Sequence, residues 1–195
     1  MAIISTRPSA MLVKTRWRNK QGPRTLDDQA GVIGANLWKI ALAIYKHLEK
    51  DGFKFGSDRQ VTLILTELIA FLLQMTDRLV HGKLSDADRA TLVTAVAGHL
   101  AKTMENNQHD LFGPGDYRTP FIAALNARAR DYAEFEYTEN GPGYACQRYL
   151  GEKVSDAMAT SDNKWVIEQM VDVELPEMMR LTKKLAGDVV GVTIS

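Results

Sequence analysis

The chain has 195 residues, of which 45% are hydrophobic and 25% charged, the profile of an ordinary globular protein of one domain. A single cysteine excludes a disulfide scaffold and a cysteine-based structural zinc site, and it fits a reducing compartment such as the cytoplasm. No apolar run reaches the roughly 20 residues of a membrane span, so no membrane partner is expected.

The formal net charge of zero conceals a split. The first 26 residues hold Arg7, Lys14, Arg16, Arg18, Lys20 and Arg24 and no acidic side chain, a net charge of +6. The remainder carries 18 basic and 24 acidic groups, and so −6. This divides the chain into a basic arm (1–26), a helical bundle domain (27–188) and a strand-like tail (189–195). Such an arm can fold back on an acidic body, cover a second copy, or meet an anionic partner. Within it, Val13 to Arg18 alternates, so that a strand would place Val13, Thr15 and Trp17 on one face and Lys14, Arg16 and Arg18 on the other. Val189 to Ile194 is also β-branched, and the two ends together predict a small terminal sheet.

Six helices are predicted between these ends. The first runs from about Asp28 to Lys50, with Gly52 as its stop. Ser57-Asp58-Arg59-Gln60 has the form of a capping box and opens a second helix that lasts to His81 and Gly82. Ser85 caps a third, ending near Asn106, with Asp86 and Asp88 placed to complement its dipole. Thr119-Pro120 marks the start of a fourth that reaches about Tyr137. A fifth spans roughly Tyr144 to Thr160, and a sixth runs from about Asn163 to Ala186, kinked or split by Pro176. Short connections favour antiparallel neighbours in a bundle. Asn107 to Arg118 is the exception, a long loop whose Leu111, Phe112 and Tyr117 give it more apolar weight than a solvated connector needs.

The second helix carries the densest polar pattern. At about 100° per residue, Gln60, Gln74 and Arg78 fall within about 20° of Glu67, with His81 about 40° and Asp77 about 80° away. The rest of its circumference is nearly all apolar. The stripe is either the solvent face of a long amphipathic helix or an inward polar seam. In the second case Glu67 needs a cationic partner, and Arg128 and Arg130 on the fourth helix are the natural ones. Glu67, Gln74, Asp77, Arg78, His81, Arg128 and Tyr132 are therefore the candidate ligand-binding residues. Lys14, Arg16, Trp17 and Arg18 are the candidate partner-binding residues.

Other chemistry is thinly represented. Asp77 and His81 at i, i+4 supply two metal ligands at most, His109-Asp110 lies in the long loop, and His47 and His99 stand alone. Cys146, near a helix start, reads as a small buried hydrophobe beside Tyr144, Tyr149 and Leu150. Two Gly-Pro-Gly turns, at 113–115 and 141–143, lack a donor at proline and suit helix connection better than anion binding. Met170, Met178 and Met179 with Asp172, Glu174 and Glu177 form an acidic, methionine-rich stretch suited to a partner groove or to the core.

The expectation is an all-α fold of about six helices in a bundle with strand-like termini. Its function is that of a non-enzymatic intracellular interaction module that self-associates, most simply as a homodimer, or meets another protein, with no cofactor and no nucleic acid. The alternative is a helical-bundle enzyme or a metal- or small-ligand-binding protein that uses the seam of the second helix.

Overall fold

The computed structural model describes residues 25–158 and 165–191, and the fold is all-α. Its elements are α1 (Leu26–Lys50), α2 (Asp58–Val80), α3 (Asp86–Phe112), α4 (Arg118–Ala133), a hairpin of β1 (Tyr137–Thr138) and β2 (Gly141–Pro142), α5 (Tyr144–Met158), α6 (Val166–Gln169), a π-helical turn (Met170–Glu174) and α7 (Leu175–Val190). No helix among the described residues is long and apolar enough to cross a membrane. Residues 1–24 of the arm, Lys14, Arg16, Trp17 and Arg18 among them, lie outside the described residues.

The caps explain the boundaries. Thr25 and Asp28 form a reciprocal capping box that starts α1 a half-turn earlier than expected. Ser57 accepts from the Gln60 amide at 3.3 Å, while the Gln60 side chain turns back one residue further, to the Gly56 amide. Ser85 accepts from Asp88 as predicted. For α4, Asp116 does the capping, accepting from the Thr119 amide at 3.0 Å, which makes Thr119 a helical residue. Those hydrogen bonds hold the exposed Asp116 carboxyl below its ordinary range.

Three expectations need correction. The long loop is short, because α3 continues to Phe112: Asn107 is buried and donates to the Thr103 carbonyl at 2.8 Å, and the chain turns only at Gly113. The fourth helix stops at Ala133, and Tyr137 belongs to the small hairpin instead. Val189 and Val190, expected in a strand, close α7. Val189 is buried against the core, and Gly191 ends the helix at φ +72°, a left-handed conformation that glycine adopts without a Cβ clash. Residues 192–195 lie outside the described residues.

Helix α2 is the centre, packing on α1, α3, α4, α5 and α7. Ile64, Leu65, Leu68, Ile69, Phe71 and Leu72 are fully buried in it, each contributing about 1.5–3 kcal/mol by transfer from water. A helix so enclosed still carries Thr62, Thr66 and Thr76. Their hydroxyls donate to the carbonyls four residues back at 2.8–2.9 Å, so these buried polar groups are paired without a second helix. Directions follow from the contacts. Asp77 near the end of α2 meets Arg89 near the start of α3, and Arg59 near its start lies over the Phe112 ring at the end of α3, so the two run antiparallel. Helix α4 runs parallel to α2 and α5 returns, its last carbonyl, Met158, accepting from Gln60 at 2.8 Å.

Pro176 acts through its neighbours. The Leu175 amide donates to the Met170 carbonyl five residues back, a widened turn immediately ahead of the proline. Met170, Met178 and Met179 are all buried, so the methionine-rich stretch is core. Gly151 of α5 lets α6 approach closely. A Cβ there would stand 3.1 Å from the Ile167 Cα and 3.3 Å from its carbonyl oxygen.

Candidate functional site

The stripe on α2 divides three ways. Its middle is a partly buried network. Arg128 of α4 holds both oxygens of Glu67, Nε to Oε2 at 2.6 Å and Nη2 to Oε1 at 2.9 Å, with side chains only 23% and 13% exposed. Nη1 of the same guanidinium donates to Asp131 at 3.0 Å, and the Tyr149 hydroxyl of α5 donates to that carboxylate at 2.5 Å. Arg130, the other proposed partner, is exposed. The C-terminal end of the stripe belongs elsewhere, and Gln60 at the other end bonds the Met158 carbonyl. Asp77 forms a double hydrogen bond with Arg89 at 2.9 and 3.0 Å, and Arg78 caps α4 by donating to the Tyr132 and Ala133 carbonyls. Gln74 is partly buried, while Leu63, on the same side, is 54% exposed. His81 does not join the seam: α2 ends at Val80, the backbone turns to ψ 132° at His81, and the ring is exposed.

The electrostatics of the middle network follow from its geometry. The bond to Glu67 holds the Arg128 guanidinium protonated beyond its ordinary range. Asp131 is held below its ordinary value of 3.8, first by the Tyr149 hydroxyl and then by Arg128. Burial, reinforced by donation to Asp131, pushes Tyr149 up to about 12. Tyr132 lies beneath this layer, edge-on to Phe71 and Tyr149 with centroids 5.6 and 5.4 Å away. Its hydroxyl is buried without a hydrogen-bond partner, and burial raises its pKa well above 10. Nearby, burial pushes the Cys146 thiol up to about 11, the reverse of what a nucleophile requires. The charges of the network are met by groups of the same chain, and the bonds tie α2, α4 and α5 together.

A second cluster, invisible in the helical projection, sits where α1 meets the π turn. Glu174 is 1% exposed. Its Oε1 lies 2.7 Å from His47 Nδ1 and accepts from the Gln169 amide at 3.0 Å. The same amide nitrogen donates to Asp51 at 2.8 Å, and that carboxylate stands 3.7 Å from His47 Nε2. His47 and Asp51 share the i, i+4 spacing at the end of α1. That spacing was the available signal; Glu174, 127 residues from His47, was not reachable from it. His99 pairs with the exposed Asp27, and His109 bonds the Gly115 carbonyl. No family model, curated protein or solved structure matches the chain.

Proposed function

We propose that the chain is a non-enzymatic intracellular interaction module that self-associates. The observation that carries this reading is the set of large apolar side chains left outside the core. Trp165 is 71% exposed, Tyr144 66%, Leu63 54% and Val173 45%. Tryptophan and tyrosine are the residue types that anchor protein interfaces, because a rigid ring buries much area at little entropic cost. The polar network between α2, α4 and α5 supports the same reading, since its charged groups are spent on holding helices together.

The charge division of the sequence suggests how copies meet. A segment of +6 and a remainder of −6 attract, and a basic arm from one copy on the acidic body of another satisfies both. The test is light scattering on the full-length chain and on Lys14→Glu/Arg16→Glu/Arg18→Glu at two salt concentrations. The expected result is a dimer that, in the variant, already dissociates at a higher protein concentration than in the wild type, with a smaller response to salt. A wild-type monomer at high micromolar concentration would overturn self-association. An unchanged mass in the variant would overturn the role of the arm.

A further inference from the structure

We infer that His47, Asp51 and Glu174 form a binding site for a divalent transition-metal cation of the zinc type, with Gln169 orienting the two carboxylates. One ligand atom from each of the three residues lies within 4.8 Å of the others. One imidazole and two carboxylates are a nitrogen–oxygen donor set that suits zinc, cobalt or manganese.

The local sequence pattern is inverted here. In the π turn Val173 is 45% exposed while its neighbour Glu174 is buried, the opposite of what hydrophobicity favours. Burying a carboxylate costs several kcal/mol unless a cation answers it. Widened helical turns of this kind recur at functional sites, where they aim one side chain that a regular helix would direct elsewhere.

An imidazolium on His47 would donate from Nδ1 to Glu174 and face Asp51 with Nε2 at 3.7 Å, which sets two carboxylates against a single positive charge. Asp51 is the C-cap of α1, where the helix dipole is negative and a carboxylate is disfavoured. It nevertheless points at the same ring and shares the Gln169 amide nitrogen with Glu174. Two carboxylates drawn to one imidazole match the charge of a dication. Zinc bonds of about 2.0–2.2 Å require neighbouring ligand atoms a little over 3 Å apart. The 2.7 Å contact with Glu174 is made by Nδ1 and the 3.7 Å contact with Asp51 by Nε2; an ion takes one of these nitrogens and draws the farther carboxylate in by side-chain rotation, from the 4.8 Å within which the three ligand atoms lie. His47 is 44% exposed and Asp51 35%, which gives the ion a path in and a water a place in the coordination sphere.

The experiment uses tag-free, chelator-treated full-length chain, with zinc followed by titration calorimetry and cobalt by its visible spectrum. Wild type is expected to take one equivalent of each, and cobalt to develop ligand-field bands. His47→Gln, Asp51→Asn and Glu174→Gln should each weaken zinc binding at least tenfold, whereas His99→Gln should leave it unchanged. Circular dichroism establishes that each variant is folded; Asp51→Asn changes a partly exposed group beyond the last turn of α1 and keeps the test decisive if Glu174→Gln does not fold. Absence of saturable one-to-one uptake of either ion overturns the site, and so does an affinity that Asp51→Asn and His47→Gln leave unmoved.

Discussion

Replacing Arg128 with methionine keeps most of the apolar stem and removes the guanidinium, and with it the charge-assisted bonds to Glu67 and Asp131. Removing one partner of a fully buried pair costs about 3–5 kcal/mol, because the other charge is left uncompensated. Glu67 and Arg128 retain 13% and 23% of their side-chain exposure, so solvent screens part of that, and about 2–3 kcal/mol is expected. In a domain of this size that corresponds to a drop of roughly 5–10 °C in Tm. The assay is denaturant and thermal unfolding at pH 7 of Arg128→Met, Glu67→Met and the double variant. The double variant should be more stable than Arg128→Met alone, since two methionines leave no orphaned charge at this position. Arg180→Ala, which breaks an exposed pair with Glu177, is the control and should leave Tm unchanged. A loss below about 0.5 kcal/mol in Arg128→Met, or a double variant equal to the sum of the singles, would refute the reasoning.

The remaining predictions concern the same region. Asp131 has a folded-state pKa below its ordinary 3.8, so its stabilising contribution is present above that value and lost as pH falls through the depressed one. Asp131→Asn should therefore flatten the acid limb of the stability profile below about pH 4, and an unchanged limb contradicts the assignment. Tyr132→Phe removes a buried hydroxyl that has no partner and should raise stability by about 1 kcal/mol; a loss of that size would reveal a bond the hydroxyl makes. Cys146 should resist a thiol reagent at pH 8 until the chain unfolds, because its thiol is buried and titrates near 11. Labelling at the rate of free cysteine would show that α5 opens in the native state.

What could be read from the sequence was local. Ser57 and Ser85 announced α2 and α3 because a hydroxyl three residues ahead of a free amide has one geometry to offer. Glu67 with Arg128 was legible because an apolar surround leaves a mid-helix carboxylate in need of a cation. Asp131 was missed although Arg128-x-x-Asp131 carries the i, i+3 spacing of a helical ion pair. The other failures have separate causes. His81 was projected onto a stripe that ends at Val80. Glu174 was hidden because the π turn shifts the phase of everything after Met170. Asn107 to Phe112 looked like a loop because asparagine and aspartate favour turns, and tertiary burial of Asn107 overrode that preference.

The position of α2 predicts that parts of the molecule will exchange amide hydrogens differently. Packed on five helices, α2 is expected to be the slowest-exchanging element of the fold. Helix α4 packs on α2 and α3 and buries only Phe121, Leu125 and Tyr132, so it can detach at a lower free energy. Its detachment carries off Arg128, Asp131 and Tyr132 in one movement and uncovers Glu67 along the spine of the fold. Access to the most polar part of the interior is therefore set by the adhesion of one sixteen-residue helix.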